Sequence, residues 1–142
     1  EKDAAVFSRV ESSLLYAFEG MPQLAVPGKA DDKPRVFELR IYESFSEMKG
    51  KLKVQMFNKG EIDIFKAVGL EAVFYGEAVV GKNLPQLTYM LVYNDEAHHK
   101  EVWKKFLTSP DWEKLKKLEQ YKDTVSKIEN TFMAALPYSG IQ

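Results

Sequence analysis

Two stretches near opposite ends of this 142-residue chain are versions of each other. Residues 7–18 read FSRVESSLLYAF and residues 125–136 read VSKIENTFMAAL, about 118 positions apart. Ser8/Ser126, Glu11/Glu129 and Ala17/Ala135 are identical. Arg9/Lys127, Val10/Ile128, Ser13/Thr131 and Leu15/Met133 exchange like for like. An internal echo of this kind is the mark of a repeated structural unit. The expected arrangement is the closing strand of one unit together with a linker in residues 1–34, then one whole unit in 35–142. The chain then reads as the C-terminal unit of a tandem-repeat protein whose first repeat is mostly missing. Anything built between the two repeats would be half present.

Composition narrows the classes. Hydrophobic residues at 45% can build a core, and 29% charged residues with a net charge of -1 describe a balanced surface. That balance opposes nucleic-acid binding, which draws on a basic face. No apolar run approaches the roughly 20 residues of a membrane span. The absence of cysteine removes disulfides, zinc–thiolate sites and thiol catalysis, and leaves the compartment undetermined. The chain begins Glu-Lys-Asp rather than with Met, so the natural N-terminus, with or without a signal peptide, is expected elsewhere.

Pattern then supplies the order of elements. Glu19 to Pro34 holds three prolines and two glycines and reads as the linker, with a boundary at about Asp32 to Arg35. Val36 to Glu43 alternates as a strand, with Phe37, Leu39 and Ile41 on one face and Glu38, Arg40 and Tyr42 on the other. Ser46 to Val68 turns helical, with Val54, Phe57, Ile64, Phe65 and Val68 near one face, and Gly69 as its stop. Gly60 weakens its middle and marks a place for a kink. Ala72–Val80 and Leu87–Tyr93 form a hairpin around Gly81 to Pro85. Asp95 caps a helix carrying Val102, Trp103, Phe106 and Leu107. Ser109-Pro110 opens another, with Trp112, Leu115 and Leu118 on its stripe. Val125 to Leu136 closes the unit.

The predicted fold is therefore α+β, a ferredoxin-like βαββαβ unit with helices on one face of the sheet. The hairpin strands are apolar on both faces, whereas a sheet with one wet face alternates. The second face is expected to pack against another repeat or another copy of the chain, as a homodimer or pseudo-dimer.

The chain resembles the NIPSNAP family of the dimeric α+β barrel superfamily. The resemblance rests on FELRIYE at Phe37 to Glu43, LTYMLVYND at Leu87 to Asp95, HHKEVWKKFLTSPDW at His98 to Trp112, and IENTFMAALPYSGI at Ile128 to Ile141. It covers about Arg35 to Gln142, and is similar to tandem two-unit bacterial members. It implies dimeric α+β barrel association and a domain of uncharacterised function. Eukaryotic relatives are linked, as interaction proteins, to mitochondria, vesicle trafficking and mitophagy signalling. Distant members of the superfamily are cofactor-independent monooxygenases and haem-degrading enzymes. Members often carry Arg where this chain has His99 or Lys100, so an anion-binding role for that Arg does not carry over.

Candidate site residues follow. In a dimeric barrel the face of Glu38, Arg40 and Tyr42 is expected to look into the space between two sheets. Arg40 there holds a carboxylate or phenolate bidentately, or simply pairs with Glu38 or Glu129 to fix the sheet. Tyr75, Tyr89 and Tyr93 form an aromatic wall with a phenol donor, or pack the core with satisfied hydroxyls. His98 and His99 open a helix, where an imidazole can act as a base, metal ligand or haem ligand. Adjacent helix residues diverge by about 100°, no carboxylate partner is evident at a fixed spacing, and solvated or capping histidines are the plain alternative. Trp103 and Trp112 read as core. The lysines of 100–122, interleaved with glutamates, read as a solvated surface. No phosphate loop, GxSxG or HExxH occurs, and no metal or cofactor is called for. One functional expectation is a pocket between sheet and helices that binds a small aromatic or amphipathic molecule, or oxidises it as a monooxygenase. Arg40 would hold the ligand, and Tyr42, Tyr75, Tyr89 and His98 would line the pocket. The other is a non-enzymatic scaffold with the same residues in packing roles.

Overall fold

A computed structural model describes residues 6–28 and 33–141. Part of the linker and Asp32, at one end of the predicted boundary, lie outside the described residues. The strands are β1 (Leu14–Ala17), β2 (Val36–Glu43), β3 (Glu71–Val80), β4 (Gln86–Tyr93) and β5 (Lys127–Ala134). They form one antiparallel sheet in the order β1-β3-β4-β2-β5. Strands β2 to β5 carry the ferredoxin-like arrangement and β1 extends its β3 edge. The predicted strand over residues 7–18 shortens to four residues. Leu14 pairs with Val80, the last residue of β3, and the described residues 6–13 before it are in no strand.

The predicted helix over 46–68 is present in three parts: α1 (Glu47–Met56), a π turn (Phe57–Glu61) and α2 (Ile62–Val68). The Ser46 hydroxyl accepts from the Lys49 amide at 3.3 Å and so caps α1. Gly69, at φ 88°, takes the left-handed conformation that ends α2. The irregularity foreseen at Gly60 is the π turn, an expanded turn that absorbs one extra residue. A Cβ on Gly60 would lie 3.2 Å from Leu115 Cδ2, so helix α4 approaches closely there. Helices α3 (Glu96–Leu107) and α4 (Pro110–Leu115) start at Asp95 and Ser109 as their sequences indicate. Leu107 and Leu118, assigned to the apolar stripes, are exposed.

The main core lies between sheet and helices. Phe57 and Phe65 from the helical layer meet Tyr42, Tyr75, Leu87, Tyr89, Leu91 and Tyr93 from the sheet. A smaller cluster of Phe37, Val73 and Val92 occupies the second face. That face is not bare within one chain. The C-terminal segment contributes Ala135 and Ile141, which pack with Met90 and Met133 against it. Four large hydrophobic side chains stay exposed on the two edge strands: Leu14 and Tyr16 on β1, Ile128 and Phe132 on β5.

Candidate functional site

Strand β2 sends Glu38, Arg40 and Tyr42 to the helix-covered face, not into a space between two sheets. Alternation separates the two faces of a strand; which face receives the helices depends on side chains far away in sequence. Here α3 supplies them. His99, Trp103 and Phe106 recur at helical spacing and lie over the sheet, while neighbouring His98 turns aside. Across the sheet Leu91 and Phe132 flank Glu38, and Tyr89 and Asn130 flank Arg40.

The Glu38 carboxylate is the hub. It is wholly buried and accepts from three donors. Arg40 Nη1 lies 2.5 Å from Oε1. The Tyr93 hydroxyl donates to Oε2 at 2.6 Å, and Trp103 Nε1 reaches the same oxygen at 3.3 Å. Trp103 Nε1 also donates to the Tyr93 hydroxyl at 2.8 Å. His99 Nε2 stands 3.5 Å from Oε2, with its ring edge-on to Tyr93 at 4.7 Å and to Phe132 at 5.3 Å. This is the carboxylate partner that the sequence did not disclose for either histidine.

Arg40 extends the network inward. Its Nη2 donates to the Tyr42 hydroxyl at 3.1 Å, which also accepts from Tyr89 at 2.8 Å. Its guanidinium lies 4.4 Å from the Trp103 ring centre, a cation–π contact. Its Nε is buried without a partner. Burial opposes the charge, but Tyr89, Tyr42 and Glu38 more than offset it and raise the pKa. Arg40 therefore pairs with Glu38, one of the two carboxylates considered for it, and not with Glu129. Burial, followed by the hydrogen bond to Glu38, raises the Tyr93 phenol and keeps it a donor. Burial likewise raises Tyr89.

A second buried ion pair stands alongside. Lys53 Nζ lies 2.6 Å from Glu61 Oε2, with both side chains almost entirely enclosed. In a regular helix, residues eight apart point about 80° away from each other. Absorbing one residue in the π turn reduces this to about 20°. The π turn thus brings the two onto one face. Lys53 sits 4.7 Å from the Phe57 ring centre. Burial raises the Glu61 carboxyl, while Lys53 and Arg40 draw it down.

The predicted tyrosine wall is part of this packing. Tyr75 stacks on Tyr89 at 5.6 Å and on Phe18 at 5.9 Å, and Tyr42 meets Tyr89 edge-on at 5.3 Å. Open space lies nearer the surface. A cleft of about 460 Å³ is lined by Val36, Glu96, His99, Lys100 and Phe132, a volume in the range of small-molecule sites. Glu96 and Lys100 pair at 2.6 Å on its rim. His99 is thus shared by the cleft and the buried network. His98 does not line the cleft: its Nδ1 accepts from the Asn94 amide at 3.2 Å, and its ring meets Tyr93 edge-on at 6.4 Å without reaching the Glu38 carboxylate. Among the described residues no three His, Asp or Glu side chains converge to hold a metal ion. No described helix is long and apolar enough to cross a membrane.

Sequence reasoning read Glu38 only as an ion-pair partner for Arg40, chose His98 and not His99 for the pocket, and assigned Trp103 to the core. The available signal was the pair His99/Trp103, four residues apart, opposite a strand with one acidic residue.

Comparison with known proteins places the fold. The sequence pattern of the NIPSNAP family matches residues 37–140. A search of curated proteins finds no match. An uncharacterized NIPSNAP-like domain protein from Burkholderia xenovorans superposes with a TM-score of 0.67 at 19% identity, over 74% of this chain and 88% of that one. A NIPSNAP family protein of unknown function from Agrobacterium tumefaciens gives 0.69 at 16% identity, over 79% and 97%. At such identities the likeness concerns the fold.

Proposed function

The chain belongs to the NIPSNAP family, and we propose that it binds a small aromatic or amphipathic molecule in the cleft between α3 and the β2–β5 edge. The observation that carries this is His99, which lines the cleft while its Nε2 faces the buried carboxylate of Glu38. A carboxylate behind an imidazole fixes ring orientation and favours one tautomer. Val36 and Phe132 offer apolar contact to a ligand body, and His99 offers a polar contact to its head. Arg40 acts at one remove, holding Glu38; Tyr42, Tyr75 and Tyr89 support Arg40 and the core.

Native mass spectrometry of protein purified from its own host tests the reading. A retained small molecule that His99→Ala and Phe132→Ala both release supports it. Retention unaffected by either substitution moves the site elsewhere.

A second reading concerns assembly: two like units associate, as two copies of this chain or as successive repeats. The sequence echo and the exposed apolar side chains of β1 and β5 favour it. Light scattering at tens of micromolar tests it, and a single-chain mass speaks against association of copies.

A further inference from the structure

The cleft is built around one ring whose two nitrogens stand in unlike surroundings. His99 Nε2 is turned inward, 3.5 Å from Glu38 Oε2. Arg40, Tyr93 and Trp103 already donate to that carboxylate, so it stays an acceptor towards the imidazole. An acceptor facing one ring nitrogen keeps the proton there and leaves the other nitrogen with a lone pair. That other nitrogen, His99 Nδ1, makes no hydrogen bond among the described residues. Tyr93 and Phe132 stand edge-on to the ring at 4.7 and 5.3 Å and hold its orientation. The adjacent His98 has no such lone pair to offer, because its Nδ1 is spent on the Asn94 amide.

Charge at the cleft is balanced. Glu38 pairs with Arg40 behind His99, and Glu96 pairs with Lys100 on the rim. A carboxylate head would meet the Nδ1 lone pair and the Glu96 carboxylate, with Lys100 already engaged. An ammonium head would find both acids already paired. A neutral head that donates a hydrogen bond meets neither cost. Phe132 lines the cleft beside His99, so an aromatic body lying on that ring puts its head at the imidazole.

We propose that the ligand of the cleft is a neutral hydroxy-aromatic compound, a phenol or naphthol, whose O–H donates to His99 Nδ1, with Glu38 as the positioning residue that sets the tautomer. This rests on the reading of the cleft as a small-molecule site and names the class of molecule it takes.

The test begins with the unsubstituted chain. Nitrogen NMR of its two imidazoles, assigned by their loss in His98→Ala or His99→Ala, reports the tautomers near neutral pH. His99 is expected to carry its proton on Nε2 alone, and a proton on Nδ1 overturns the proposal. Four probes of like shape are then titrated: naphthol, methoxynaphthalene, naphthoate and naphthylmethylammonium. Naphthol is expected to bind about tenfold tighter than each of the others, the worth of one hydrogen bond left unmade, and to shift the Nδ1 signal. In His99→Phe its advantage over methoxynaphthalene should disappear, and Phe132→Ala should weaken whatever binds at the cleft. If another of the four binds as tightly as naphthol, and Phe132→Ala weakens it, the proposal is overturned and the small-molecule reading stands. Binding by none of the four also overturns the proposal, and the small-molecule reading is then decided by what the host-purified protein retains. Should His99→Phe fail to fold, the tautomer and the probe series in the parent chain still decide.

Discussion

Two buried ion pairs lie under the same helical layer. Lys53–Glu61 spans a π turn within one helical segment, among aromatic rings, and both members are sealed from solvent. Arg40–Glu38 sits on one strand and connects outward through Tyr93, Trp103 and His99 to a cleft. The first is close to a closed two-body contact. The second is a network in which one carboxylate serves several donors. A closed pair can be exchanged as a unit for apolar side chains of like volume, often at no loss. A hub cannot, because its removal strands every donor aimed at it.

The largest expected effect is at the hub. Glu38→Ala leaves Arg40 without its counter-charge and Tyr93 and Trp103 without their acceptor. Urea unfolding should show a loss of about 3–5 kcal/mol, the usual cost of breaking a buried pair on one side. Paired replacements sharpen the contrast. Lys53→Met with Glu61→Leu is expected to fall within about 1 kcal/mol of the parent, or to be more stable. Arg40→Met with Glu38→Leu is expected to remain about 2 kcal/mol less stable, since buried polar groups of Tyr93, Trp103 and Tyr42 lose partners. Equal losses for the two double variants would remove the distinction.

Alkaline titration reads the sealed pair from another side. Burial, and after it the charge of Glu61, raises the Tyr75 phenol above its ordinary value. The unfolded chain ionises this group near pH 10, where the folded chain still holds the proton. Its contribution to stability is therefore complete below about pH 10 and is lost as pH rises from there towards the folded pKa. Tyr75→Phe should flatten the fall of stability between about pH 10 and pH 11, measured by urea midpoints. An unchanged slope would mean that Tyr75 ionises as freely folded as unfolded.

The difference between the two regions also explains what the sequence disclosed. The alternation of VFELRIYE identified β2 to the residue, because its period and its ends are local properties. Asp95 and Ser109 marked helix starts for the same reason: a cap acts within three residues. The assignment of Glu38, Arg40 and Tyr42 to the inter-sheet side failed because the side chains that cover them lie on other elements: Phe57 over Tyr42, and His99 and Trp103, 61 and 65 residues further on, over Glu38. The Lys53–Glu61 pair was missed because eight residues is the wrong spacing for a regular helix, and only the π turn corrects it. Gly60 hinted at an irregularity but not at its kind. Behind the cleft, Arg40 and the tyrosines were visible as chemistry on three strands, while Glu38 as a hub became evident only with α3 in place.

The smallest effect on stability belongs where the network reaches the cleft, and there the comparison becomes a functional one. His99 stands 3.5 Å from Glu38, beyond its close donors, and is partly exposed. His99→Ala leaves Arg40, Tyr93 and Trp103 on the carboxylate, so a stability change below about 1 kcal/mol is expected. His98→Ala, which removes a contact to Asn94 and an edge-on contact with Tyr93, should change stability by a similar amount. The two should part in ligand retention, because only His99 lines the cleft. Loss of a bound small molecule in His99→Ala but not in His98→Ala would assign the outward end of the network to binding. Equal retention in both would return Glu38, Trp103 and Tyr93 to the same role as the sealed pair, a polar fastening between helix and sheet.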